Sequence, residues 1–122
     1  MAKYLHPTAV LDGLLDKIAT GTIMTVCSAQ PTTRAEAVTT YALADVVMAG
    51  GDFTKANGDV NGRKVTVAQK ASVPIDTTGT ATHVAICDAT NVLLVTTCTS
   101  QSLTSGGTVT IPAFKCETSN PT

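Results

Sequence analysis

The 122-residue chain has no tryptophan, and only two tyrosines and two phenylalanines. Sugar-binding surfaces are commonly paved with such rings, so a carbohydrate-binding or host-surface module starts poorly supplied. Charge is scarce too: 14% of the residues are Asp, Glu, Lys or Arg, against about 25% in an ordinary soluble domain. Eight basic and nine acidic residues leave a formal net charge of −1. With no basic field to attract phosphate, nucleic acid is not an expected partner. No apolar run approaches the roughly 20 residues that span a bilayer, so no membrane partner is expected either. The opening MAKYLHPTAVLDGLLDKIAT is broken by Asp12 and Asp16 and does not read as a secretory signal. The expectation is synthesis in a reducing cytoplasm, with Cys27, Cys87, Cys98 and Cys116 as free thiols packed like small hydrophobes.

Recognisable chemistry is thin as well. There is no C-x-x-C pair, no glycine-rich phosphate loop, no G-x-S-x-G and no clear acid/base pair of carboxylates. No cofactor, resident metal or catalytic residue is expected.

What is present is a 43% hydrophobic chain whose polar surface must come from Thr and Ser, with Thr conspicuous from Thr77 to Thr110. Such a surface suits contact with other proteins. Val10, Leu11, Leu14, Leu15 and Ile18 form one helical stripe, with Thr8 as candidate cap and Gly21 as the stop. Thr22–Ser28 is β-branched and apolar, a buried strand ended by Pro31. TTRAEAVT suggests a short helical turn, with Thr33 and Glu36 spaced as a capping box. YALADVVMA fits helix or strand, and FTKANGDVNGR reads as a loop.

From Arg63 onward the period is two. RKVTVAQK is a strand, VPIDTTGT a turn, and TATHVAICD a strand with Val84 and Ile86 on one face and His83, Ala85 and Cys87 on the other. ATN is a hairpin connection, VLLVTTC the returning strand and TSQSLTSGG a turn. TVTIPAFKCE closes the pattern, with Pro112 marking an edge or bulge. The fold class is all-β: an antiparallel β-sandwich, jelly-roll-like or immunoglobulin-like, with a short N-terminal helix. One domain is expected, comprising an arm and helix over 1–20, the sandwich over 21–117 and a loose tail over 118–122.

Two constellations merit weighing. His83, Cys87, Asp88 and Cys98 crowd into ATHVAICDATNVLLVTTCTS, and His83 and Cys87 share a strand face. A metal site is geometrically allowed, as in a small metal-dependent enzyme, but free Cys is among the most buried residue types and core filling is the stronger reading. Asp88 would point to the opposite face, and mid-strand is a poor place to activate a thiol. NGDVNG places Asn57, Asp59, Asn61 and Gly62 like the first half of an EF-hand loop, but the twelfth position is Ala68. One carboxylate is too little charge for a tight calcium site, so a turn is expected.

The segments CSAQPTT, YALADV, GRKVTV, GTATHVAICD and TVTIPAF resemble a family of small proteins encoded among the virion genes of tailed bacteriophages. The resemblance covers nearly all of the chain after its first twenty residues. It implies a non-enzymatic virion structural protein, foremost a capsid decoration or cement protein on the outside of the head that binds and stabilises the major capsid protein lattice. A homo-oligomer, dimer or trimer, is expected. A tail, neck or baseplate component is the alternative. Tyr4, Leu5 and Pro7, ahead of the expected helix, are the candidate partner-binding residues of an arm reaching a neighbour.

Overall fold

A computed structural model of the chain describes residues 10–60 and 62–118. Among them the order is helix α1 (Asp12–Ile18), then strands β1 (Ile23–Cys27), β2 (Ala42–Val47), β3 (Phe53–Asn57), β4 (Arg63–Val67), β5 (Lys70–Pro74), β6 (Gly79–Cys87), β7 (Val92–Leu103), β8 (Thr108–Ile111) and β9 (Phe114–Thr118). Every strand pairing is antiparallel. The sheets have the orders β2-β1-β6-β7, β3-β4-β9 and β5-β8, and an isolated bridge between Ala44 and Ile75 ties the end of β5 to β2. This is the expected all-β, sandwich-like fold with a short N-terminal helix.

All three sheets feed one apolar core. Met24 and Val26 of β1, Val65 and Val67 of β4, Val73 of β5, Val84 and Ile86 of β6 and Ile111 of β8 meet there, with Leu15 of α1. Strand alternation places Ala85 and Cys87 on the reverse face of the large sheet. They form a second, smaller cluster with Cys27 and Ala37, roofed by the helical turn at Glu36–Thr40. The face assignment made from the sequence of β6 therefore holds. That turn is anchored much as its Thr/Glu spacing suggests. Glu36 N–H donates to Thr33 Oγ1 at 3.2 Å, and Glu36 Oε1 accepts from the backbone N–H and hydroxyl of Thr32 rather than from Thr33.

Several local expectations are corrected. Phe53–Asn57 is a strand rather than a loop, because Phe53 is drawn into the core and the turn needs only the residues after it, with Gly58 N–H bonded to Gly62 O at 2.9 Å. YALADVVMA resolves to strand, paired along β1. Part of VPIDTTGT is β5, since Val73 and Ile75 are both buried. β7 continues through TSQSL, because Leu103 returns to the core, and only Thr104–Gly107 turns, with Gly106 at φ 92°. TVTIPAFKCE is two strands in two different sheets, broken at Pro112 and Ala113.

The helical stripe is narrower than expected: Leu11 and Leu15 are buried, but Val10 and Leu14 are exposed. The helix ends at Ile18 with Ala19 as its C-cap, so Gly21, which adopts no left-handed conformation, is not its stop. A Cβ at Gly21 would collide with Ile86 Cγ2, so glycine serves the close approach of the segment after the helix to β6. Thr8 lies outside the described residues, as do the first nine residues of the expected 1–20 arm and helix. The sandwich reaches Thr118 in β9, one residue beyond the expected limit, and 119–122 lie outside the described residues.

Candidate functional site

The hairpin of β6 and β7 scatters the His83, Cys87, Asp88 and Cys98 group. Cys87 is fully buried in the small cluster beneath the helical turn. His83 is half-buried, with Nδ1 2.8 Å from the hydroxyl of Thr82. Asp88 closes the hairpin: its Oδ1 accepts from Thr90 N–H at 2.8 Å and Asn91 N–H at 2.6 Å. These backbone donors, with Lys17 at 3.4 Å, hold its carboxyl down to about 2. Its carbonyl receives Arg34 Nε at 2.7 Å, tying the helical turn to the hairpin. Asp88 is thus committed to the turn.

Cys98 is exposed on β7. The sheet sets His83 opposite Thr97 on β7 and opposite Cys27 on β1. The Cys27 sulfur sits 3.4 Å from Thr25 Oγ1 and donates to Ala37 O at 3.5 Å. Nothing in the sequence signalled this neighbour, because β1 and β6 lie more than fifty residues apart in the chain. Burial raises the pKa of Cys27, Cys87 and Cys116, and partial desolvation by its neighbours raises that of Cys98, so the thiols stand protonated at neutral pH. Among the described residues, no three His, Cys, Asp or Glu side chains converge as a metal-binding group.

The NGDVNG loop is likewise engaged internally. Asp59 pairs with Lys64 at 2.8 Å and with Lys115, and Asn57 Oδ1 accepts from Arg63 Nη1 at 2.8 Å. Gly62 has φ 73°, as a turn of this kind requires. Asn61 lies outside the described residues.

Two arrangements escaped the sequence reading. Asp45 on β2 and Asp76 beyond β5 are neighbours, and desolvation together with the neighbouring carboxylate pushes the Asp45 pKa up. Both residues are exposed on the surface. The other is a cleft of about 170 Å³ between β7 and the β8–β9 junction. Val26 and Val84 form its floor, Ile111 and Pro112 one wall, and Cys98 and Thr99 the other. It continues into a shallower hollow of about 310 Å³ that reaches Phe114.

A bulge opens the cleft. Between the pairs His83–Thr97 and Ala81–Gln101, three residues of β7 face the single Thr82 of β6. This re-aims Cys98 and Thr99 together, where regular alternation would separate them. Pro112 has no N–H with which to continue the ladder of β8, so the wall opposite ends there. The cleft offers apolar contact ringed by hydroxyls, with no charged group in its lining.

No helix among the described residues is long and apolar enough to cross a membrane. Tyr4, Leu5 and Pro7 lie outside the described residues. Compared with protein-family models, with curated proteins and with solved structures, the chain finds no match.

Proposed function

We propose that this chain is a non-enzymatic structural component of a tailed-phage virion, seated on the outside of the head and binding the major capsid protein lattice. The reading rests on the family resemblance carried by the segments quoted above. One structural observation supports it: residues 89–114, which include all of β7 and β8, contain no charged side chain. Their exposed positions are mostly Thr and Ser. Such a face hydrogen-bonds and packs against protein without a large cost for desolvating ions.

A decoration protein needs each contact to be only modest. About 800 Å² per partner suffices for a specific contact, and copies joined on one lattice add their contacts nearly intramolecularly. The test is the copy number of the chain per purified virion, measured by quantitative mass spectrometry against the major capsid protein. Hundreds of copies in a simple ratio are expected. A handful would move the protein to the tail, neck or baseplate, and absence from the particle would overturn the virion reading.

A further inference from the structure

We propose that the outer edge of β7 is where two copies of this chain pair, antiparallel about a two-fold axis, so that the β2-β1-β6-β7 sheet runs on through both copies. β7 is twelve residues long and, among the described residues, has β6 as its only strand neighbour. Its first half, Val92–Thr96, holds two valines and two leucines, all only partly buried. A long, apolar, uncharged edge is a template for strand addition, and proteins ordinarily blunt such edges with charge, proline or shortness. The edges of the β3-β4-β9 sheet are blunted in this way: β3 carries Lys55, and β9 carries Lys115 and Glu117. Both strands are only five residues long. β7 has no charge and no proline.

The partner that fits is a second copy. About a two-fold axis a strand meets itself, so any charge near the centre of pairing faces its own kind. The absence of charge throughout 89–114 removes that conflict, and Thr against Thr or Val makes favourable cross-strand pairs. The bulges at Leu93 and at Cys98–Ser100 bound a regular segment, Leu94–Thr97, and select its register over slipped ones. The far edge of the sheet, β2, is covered at Leu43 and Ala44 and carries the charged Asp45. Ile75 bridges Ala44, and the N–H groups of Asp76 and Thr77 donate to Leu43 O at 2.8 and 3.1 Å. A two-fold contact uses the same β7 edge of each copy once, so self-pairing closes at a dimer and does not propagate into a fibre.

The inference is independent of the virion reading, because it is tested on the purified full-length chain. Light scattering after gel filtration, from about 5 to about 100 µM, is expected to give twice the 12.4 kDa of one chain. Thr97→Lys is expected to weaken the dimer at least about tenfold while leaving the circular dichroism spectrum unchanged. Val47→Lys, on the opposite edge strand at a position 77% exposed, is expected to leave it intact. Hydrogen exchange of the unsubstituted chain reads the same edge without a mutation: the amides of Leu94–Thr97 should gain protection as concentration rises. A monomer throughout the range, equal weakening by both substitutions, or β7 amides indifferent to concentration would overturn the proposal.

Discussion

The β3-β4-β9 sheet with α1 and the β7–β8 face are built from opposite materials. The first region is laced with ion pairs: Arg63 with Asp12, Lys55 with Asp16, Lys64 and Lys115 with Asp59, and Lys115 with Glu117. The second has none, because it has no charges to pair. The two regions nonetheless share one core, in which Val65 and Val67 meet Val84, Ile86 and Ile111. Charge here does local work. It fastens a helix and a tight turn to a small sheet and protects that sheet's edges. The neutral region gives up those fastenings and keeps its edge open.

The two regions depend most on the core they share. Ile86 is fully buried on β6, between β1 and β7, and abuts Gly21 just after the helix. Ile86→Ala is expected to cost about 2–5 kcal/mol in urea unfolding, through lost apolar burial and a residual cavity. Because both regions lean on this side chain, tryptic susceptibility of the charged sheet and of β7 should rise together. A loss confined to β6 and β7 would show that the two regions unfold separately.

Removing a fastening in the charged region should cost less. Asp12 is 6% exposed and is gripped by Arg63 Nε at 2.8 Å and Nη2 at 3.3 Å. The hydrogen bond from Arg63 outweighs the desolvation of Asp12 and holds its carboxyl below the usual range. Arg63→Ala strands that carboxylate, at an expected cost of about 1–3 kcal/mol. The pH dependence follows from the sign of the shift. A carboxyl whose folded pKa lies below its unfolded value stabilises the fold above the unfolded pKa, and this contribution is lost as pH falls through the folded one.

Glu36, Asp52 and Asp88 are lowered as well, by backbone N–H groups first and then by a threonine hydroxyl or a lysine. Only Asp45, among the carboxyls with a clear shift, runs the other way: its contribution is present at low pH and fades as pH rises through its raised value. The melting temperature should therefore drop from about pH 4 toward pH 2. Arg63→Ala should flatten that drop, and an unchanged acid limb would refute the role given to the pair.

The amount legible beforehand differed between the same two regions. From Arg63 onward, alternation assigned the faces of β6 correctly, because one face meets a deep core and the other a shallow one. FTKAN reads as a loop because it is flanked by Asn, Asp and Gly and contributes a single core side chain, Phe53, so local turn chemistry outweighs period two. The end of β7 is hidden in the sequence because Thr, Ser and Gln suit turns and exposed edge strands alike. Only the return of Leu103 to the core separates the two. The candidate site fared worst. Cys27 faces His83 through a pairing between distant strands, and the cleft beside Cys98 depends on a bulge. Neither pairing order nor bulges have a signature in one sequence.

The smallest effect tests whether the charged region's surface pairs matter individually. Asp59 receives both Lys64 and Lys115, from the adjacent strands β4 and β9. Its side chain is 44% exposed, so water and salt screen both attractions. Pairs of this kind are worth about 0–1 kcal/mol. Asp59→Ala also leaves two lysines on neighbouring strands with their mutual repulsion unrelieved, which adds to the loss at low ionic strength and is screened near 1 M salt, where the Debye length is about 3 Å. The expected result is a destabilisation below about 1 kcal/mol in dilute buffer that shrinks as sodium chloride is added. A loss that ignores salt would mean that Asp59 acts through the geometry of the Gly58–Gly62 turn instead. The turn would then be the fastening and the lysines its ornament, leaving less contrast between the two regions than their charges suggest.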